Sequence, residues 1–403
     1  MKTPGTSKAP GSLDPDFGND GVAPFPVALN YAQTQLLSDG KILTAGSAMY
    51  SEVLTLVRHL STGAVDESFG ERGVAYIAPP FSREITVKQV WVLPDDRAVI
   101  HCGLGNFQRN TAVVLRVLPD GTLDTSFGVA GYCLLDMGGN TNNIPAMGVL
   151  SDGKIILSLL AEKVGSLYPW NYLVRLDNGH LDTSFGPNGS GMIHIGEGIG
   201  RDLVVLPDDR VLLVQSTTLD YTLVVLQQFL ADGRPDPAFG DDGAVTLTLD
   251  NGRLDVSSLV RQADGKIVAV GGADAGSGVH MLITRLNVHG SRDTTFNNGE
   301  LQIVPFAGFE TEAQKVTLQP DGKIVMGGSS VGSVESANFV LMRFLASGAL
   351  DTSFGDAGQV MTNFSGMDAC TTVELQDDGK LLASGPSSLN QNGVSYIVAR
   401  YLG

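Results

Sequence analysis

The chain has 403 residues, 43% of them hydrophobic and 17% charged, which supplies a sizeable core and excludes a disordered chain. A formal net charge of −17 argues against a sequence-independent polyanion binder, which gathers Lys and Arg into a patch, so neither nucleic acid nor an anionic membrane is an expected partner. No run of about 18 apolar residues exists for a membrane span, and MKTPGTSKAPGS at the start lacks the apolar stretch of a secretory signal. The cytoplasm is the default location, with export by a signal-free route left open.

Residues 1–12 read as a flexible tail. From Leu13 onward one acidic, aromatic turn recurs seven times: LDPDFG, VDESFG, LDTSFG, LDTSFG, PDPAFG, RDTTFN and LDTSFG, centred on Phe17, Phe69, Phe127, Phe185, Phe239, Phe296 and Phe354. Their separations of 52, 58, 58, 54, 57 and 58 residues define one continuous domain, 13–403, of seven repeats of roughly 57 residues each. A second signal follows each Phe: Asp39-Gly40-Lys41, Asp95-Asp96-Arg97, Asp152-Gly153-Lys154, Asp208-Asp209-Arg210, Asp264-Gly265-Lys266, Asp321-Gly322-Lys323 and Asp378-Gly379-Lys380. Asp-Gly between apolar runs is a hairpin signal, expected here as a two-residue turn with positive φ at both positions. Around each hairpin lie short runs rich in Val, Ile and Leu, and no apolar stripe of helical period appears.

The expected fold is therefore all-β, with about 28 strands in seven units of four. The ends decide between an open stack and a ring. The chain begins with the turn and a fourth-type strand at residues 22–27 and stops after a third-type strand at 396–402. Joining them completes one unit. This predicts a seven-bladed β-propeller with four antiparallel strands per blade, its last blade closed by the N-terminal strand, which leaves no open edge.

The LDxxFGxxG turn, the DGK hairpin followed by apolar residues and glycine, and the arginine-bearing strand before the next turn together resemble the bacterial delta-60 repeat family. The resemblance covers residues 13–403. It implies the propeller and supplies little biochemistry. The fourth repeat departs most, with Asp209-Arg210 for Gly-Lys and Gln228 where six others carry Arg58, Arg116, Arg175, Arg285, Arg343 and Arg400.

The repeated residues suit structural work: the Asp bonds amides two residues on, the Phe plugs the gap between blades and the Gly accepts positive φ. The positions after each Phe lack the alternating oxygens of a calcium loop, so no metal or cofactor is expected. Hairpin and LDxxFG turn share one face, which leaves the non-repeating loops on the other. Met49-Tyr50, Gly105 to Arg109 with Phe107, Ser166 to Tyr172 with Tyr168, Trp170 and Asn171, Asp220-Tyr221, and Ser388 to Asn392 belong there. Tyr168, Trp170, Asn171 and Tyr172 form the most distinctive group, able to stack on a sugar or anchor a protein. Phe107, Arg109 and Tyr221 extend the candidate surface. Glu84, Asn142, Asn143, Glu197, Arg201, Asp202, Asp255, Glu310, Glu312 and Asp368 are expected at the channel rim, with Asp255, Glu312 and Asp368 as ligand contacts.

Enzyme signals are weak. Gly328-Ser329-Ser330-Val331-Gly332 matches GxSxG but leads into a strand where a nucleophile elbow needs a helix. The histidines show no metal spacing. The preferred reading is a non-catalytic binding module for a carbohydrate or protein. The alternatives are a polysaccharide- or glycoside-acting enzyme with carboxylates at the channel mouth, and a structural part of a surface or secreted assembly.

Overall fold

The structure, a computed structural model, describes residues 9–81, 83–106, 109–137, 142–162, 169–216, 222–306, 308–331, 337–364, 366–389 and 394–403. Each hairpin forms where the sequence places it, with a different turn. The Gly40 N–H bonds the Leu37 carbonyl, the Leu37 N–H bonds the Lys41 carbonyl, and positive φ occurs at Gly40 but not at Asp39. This is a three-residue loop with one left-handed residue rather than the two-residue turn expected. Asp39 instead receives the Lys41 N–H on its own carboxylate. Asp96 and Asp209 take the left-handed position in the two Asp-Asp repeats, each at φ 60°.

Seven antiparallel sheets result, and almost no helix. Blade 1 runs Tyr31–Leu36, Ile42–Ser47, Leu54–His59, Val74–Ile77, in that order across the sheet. The innermost strands of blades 2 to 6 are Ile85–Val92, Asn142–Val149, Ile199–Val205, Arg253–Arg261 and Glu310–Leu318. In blade 7 the inner strand is split into Gly366–Asp368 and Thr372–Leu375. Each inner strand contacts those of both neighbouring blades, so the seven enclose a central channel. The fold is an all-β, seven-bladed propeller.

Closure uses both chain ends. Leu13 bridges Tyr401 and Val22 bridges Ala399, which supplies the outer edge of blade 7 by two short bridges rather than a strand over 22–27. Residues 9–12 take part. Gly11 N–H bonds the Leu402 carbonyl and Leu402 N–H bonds the Ser12 carbonyl, as Gly63 does with Leu60 and Leu60 with Ala64 inside the unbroken repeat. The loop cut by the termini is thus rebuilt with the same hydrogen bonds.

The core is divided among the blade interfaces. Seven apolar clusters fill the seven interfaces and each contains one marker Phe, at most 2% exposed. Phe17 lies between blades 7 and 1, and Phe69 between blades 1 and 2. The next blade presents a glycine to the ring. A Cβ on Gly121 would sit 2.6 Å from Phe69, so the position admits no side chain.

Over six of the seven Phe rings lies the repeat's arginine. Arg343 Nε donates to Asp351 Oδ2 at 2.8 Å, and its guanidinium covers the Phe354 ring at 4.5 Å. The same pairing joins Arg58 to Asp66, Arg116 to Asp124, Arg175 to Asp182, Arg285 to Asp293 and, across the closure, Arg400 to Asp14. The Asp also accepts the backbone N–H two residues on, as Asp351 does from Ser353. From the hairpin a second cation arrives, Lys323 at 3.9 Å and Lys154 at 3.0 Å from the same carboxylates. Burial alone would raise these carboxyls, but the hydroxyl, amide and cation contacts override it and hold Asp66, Asp124 and Asp351 below the usual range. Blade 4 resolves its departures together. Gln228 Nε2 donates to Asp236 at 2.7 Å and Arg210, in the lysine's place, donates to the same oxygen at 2.8 Å. The strand cation is absent and the hairpin cation pairs with the Asp directly.

Arg343 and Asp351 are 3% and 8% exposed, so truncating the arginine strands a carboxylate beside an aromatic ring. Arg343→Ala is expected to cost about 3 kcal/mol in urea unfolding, the lower end for a buried pair because this one lies near a face of the molecule. Arg343→Gln with Lys323→Arg recreates the blade 4 arrangement and should recover part of that loss. A double variant no more stable than Arg343→Ala would contradict the account.

Candidate functional site

On the face carrying the hairpins and LDxxFG turns, the repeated Asp and Arg are committed to one another. Two regions elsewhere retain side chains with something left to offer. One is the edge of blade 3, the other the central channel.

In blade 3, Trp170–Asp177 is the third strand, not part of a loop as the sequence suggests, and it pairs with Met192–Glu197. Strand alternation then separates the expected cluster. Trp170 and Tyr172 point to one side of the sheet, where His194 of the adjacent strand joins them. Ring centroids lie 4.5 Å apart for Trp170 and His194, 5.3 Å for Tyr172 and His194, and 6.3 Å for Trp170 and Tyr172. His194 is exposed, and the other two rings are half-buried. Burial pushes the Tyr172 phenol up. Asn171 points the other way and is fully buried, accepting from Ser158 Oγ at 2.7 Å and donating to Gln215 Oε1 of blade 4 at 3.0 Å. Its amide is used within the core.

The channel is shaped by a repeated irregularity. In blades 2, 4, 5 and 6 the pairing of the inner strand slips by one residue at Lys88, Arg201, Ser257 and Gln314. Such bulges re-aim side chains. Arg201 Nη2 reaches Asp255 Oδ2 of the next blade at 2.7 Å, and Ser216 Oγ donates to Asp255 Oδ1 at 2.6 Å. Glu312, from blade 6, packs over Gly272, where a Cβ would lie 3.1 Å from its Cγ; Gly272 is the ladder partner of Asp255. Burial, and then the Asp255 charge, raise the Glu312 carboxyl above its usual value, while Arg201 offsets them in part. The channel mouth therefore holds one ion-paired carboxylate and one whose carboxyl is raised above its usual value. Deeper in, Asp202 accepts from Ser258 Oγ and Leu259 N–H, both at 2.9 Å, and pairs with Lys315 at 3.3 Å.

Asp368 is not open to the channel. It is fully buried, accepts from Ser387 Oγ and takes the Phe364 N–H at 2.7 Å, which fastens the split strand of blade 7. Tyr168, Phe107 and Tyr221 lie outside the described residues, and Arg109 opens the strand Arg109–Val117 with its side chain outside the description. His194 and Lys88 went unmarked in the sequence. The register between strands places His194 beside Trp170, and one bulge sets Lys88, so neither carries a local pattern. All three cysteines are free and buried. No helix among the described residues is long and apolar enough to cross a membrane.

A family model described as "Domain of unknown function (DUF5122) beta-propeller" matches residues 37–69, 104–127, 262–296 and 319–354, under half of the chain. Every matched segment ends on a marker Phe. No curated protein matches the sequence. Among solved structures, the chain is similar to a puromycin hydrolase S511A mutant complexed with PGG, at 14% identity and a TM-score of 0.50, covering 93% of this chain and 52% of that one. It therefore spans about half the length of that hydrolase. A polysaccharide lyase, Uly1, aligns over 99% of this chain and 98% of its own at 10% identity and a TM-score of 0.48. An alpha-L-arabinanase of Penicillium chrysogenum complexed with arabinobiose aligns over 94% and 96% at 10% identity and a TM-score of 0.42. At these identities the likeness is one of fold.

One channel group sits at the ring closure. Glu374 Oε2 accepts the Leu36 N–H at 2.9 Å, from blade 7 to blade 1, and burial pushes its carboxyl up to about 7 against the favourable Leu36 bond and the more distant Lys315 charge. The native state thus favours the protonated form. The stability this group contributes is present below about 4.5 and is lost as pH rises through about 7. Glu374→Gln mimics the protonated acid, so its urea midpoint should exceed that of the wild type at pH 8 and match it at pH 4.5. Equal midpoints at both pH values would refute the assignment.

Proposed function

We propose that the protein is a non-catalytic binding module that takes a carbohydrate on the aromatic surface of blade 3. The observation that carries this reading is the packing of Trp170, Tyr172 and His194 side by side on two adjacent strands, with His194 exposed and the other rings half-buried. Aromatic rings held on strands keep their orientation without a ligand, so little ordering entropy is lost on binding. Ring faces beside polar ring nitrogens suit a sugar, which offers an apolar face and a hydroxyl edge. A second reading, an enzyme acting on a glycoside, has its own support in Glu312, whose carboxyl is raised beside the ion-paired Asp255, so that the two acids sit in different electrostatic surroundings.

A glycan array followed by titration calorimetry separates them. The wild type should bind a glycan without consuming it. His194→Ala and Trp170→Ala should each weaken that binding at least tenfold, about 1.4 kcal/mol, while Glu312→Gln leaves it unchanged. His194 is exposed, so its truncation keeps the test independent of folding. Turnover of a bound polysaccharide that disappears in Glu312→Gln would replace the first reading by the second.

A further inference from the structure

Blade 7 alone, among the described residues, has no strand at its outer edge. The other blades end on Val74–Ile77, Tyr132–Leu135, Met192–Glu197, Ala244–Leu247, Gln302–Val304 and Gln359–Thr362. In blade 7 the ladder starts in the same way and then stops. Arg400 N–H bonds the Gly21 carbonyl, as Arg58 N–H bonds Gly73 in blade 1, and Ala23 N–H bonds the Val398 carbonyl. The cause is local. Val22-Ala23 repeats the Val74-Ala75 of blade 1, but Pro24-Phe25-Pro26 follows where blade 1 has Tyr76-Ile77-Ala78. Tyr76 and Ile77 go on to pair with Thr55 and Leu54, whereas a proline has no N–H to give to a ladder. The Pro24 carbonyl instead accepts His59 Nε2 of blade 1 at 2.8 Å, which draws the chain away from the strand Val394–Tyr401.

What the missing strand leaves behind is specific. Along an antiparallel strand every second residue turns both its N–H and its C=O toward the same neighbour. Arg400 and Val398 turn theirs outward, so Tyr396 does as well. Among the described residues nothing bonds the Val398 N–H or either backbone group of Tyr396. Tyr396 is 5% exposed, so water serves these groups poorly, and an unpaired backbone group away from water is costly. Beside them, where the diverted chain arches away, lies a cavity of about 530 Å³ walled by Val22, Phe25, Val27, Leu29, Phe364 and Ile397. No charged side chain lines it.

We propose that this edge receives an extended peptide segment of a partner protein, which takes the place of the missing fourth strand. One peptide residue exchanges both backbone hydrogen bonds with Tyr396 and seats an apolar side chain in the cavity, the mode in which strands add to an open sheet edge. The added strand continues the ladder that Val22 and Ala23 begin at the ring closure. A peptide fits better than a small apolar molecule because a donor and an acceptor on one residue match the two backbone groups of another. The site is independent of the aromatic surface of blade 3 and of the carbohydrate reading.

The test uses the whole chain and a capped synthetic peptide, KTVTVTVK, which is apolar at alternate residues. In amide hydrogen exchange resolved to single residues, Tyr396 and Val398 of the free protein should exchange at least tenfold faster than their paired counterparts in blade 1, Leu54 and Leu56. The peptide should slow both at least tenfold, and the same peptide N-methylated at its valines should leave them unchanged. Pro24→Tyr with Pro26→Ala writes the blade 1 sequence into the edge, so the chain's own strand should protect both amides and weaken the peptide at least tenfold in calorimetry. Slow exchange in the free protein would mean that the chain already covers the edge, residues 390–393 included, and would overturn the proposal. So would a peptide without effect, an N-methylated peptide that binds as well, or binding that survives the double substitution. A dimer seen by light scattering in the wild type and lost in the double variant would assign the edge to a second copy of the chain instead.

Discussion

The contact on which the molecule depends is a carboxylate holding a guanidinium flat over a phenylalanine. In each blade except the fourth, the turn Asp takes the arginine, the arginine covers the Phe, and the Phe fills the space before the next blade. A ring of separate sheets has no strand ladder running from sheet to sheet, so packing at the interfaces must set the angle between them. Arginine adds a polar link at the same place: Arg58 donates to the Pro119 carbonyl of the following blade and Arg285 to Ala346. One residue thus secures its own turn and its neighbour's loop. Blade 4 shows that one cation at the Asp suffices, since Gln228 keeps the strand hydrogen bond and Arg210 of the hairpin supplies the charge.

This commitment divides the molecule. A side chain bound to three neighbours in a shielded site has no capacity left for a ligand, so the most repeated residues are the least available chemically. What remains open is where the repeat is broken: the aromatic edge of blade 3, and inner-strand positions at which seven equivalent residues differ. At the position of Glu374, for example, the other blades carry Gln35, Trp91, Gly148, Val204, Val260 and Thr317. Varying one position around a constant frame makes the inner ends of the blade interfaces differ around a nearly symmetric ring.

Much of the frame was legible in the sequence because its causes are local. An Asp that bonds two residues onward, a glycine that must take positive φ and an alternation of apolar residues all leave marks within a few positions. The hairpin geometry was misjudged at Asp39 because a two-residue and a three-residue loop share the Asp-Gly signal and differ only in which carbonyl closes the turn. For the candidate site less was visible. Trp170 and Tyr172 were evident by type, yet their partner His194 was not, and Asn171 between them proved to face the opposite side. Composition cannot report strand alternation in a segment taken for a loop.

The sequence by itself determined the number of blades, the closure of the ring by the chain's two ends and the repeated turns that carry the Asp–Arg pairs, because each follows from a short motif repeated at fixed spacing. Only the tertiary structure decided which carboxylates pair with which cations. Asp202 and Lys315 come from blades 4 and 6, and Arg201 and Asp255 from blades 4 and 5. Ion pairing across a channel depends on curvature and on one-residue slips in strand register, and neither leaves a trace in the spacing of residues along the chain.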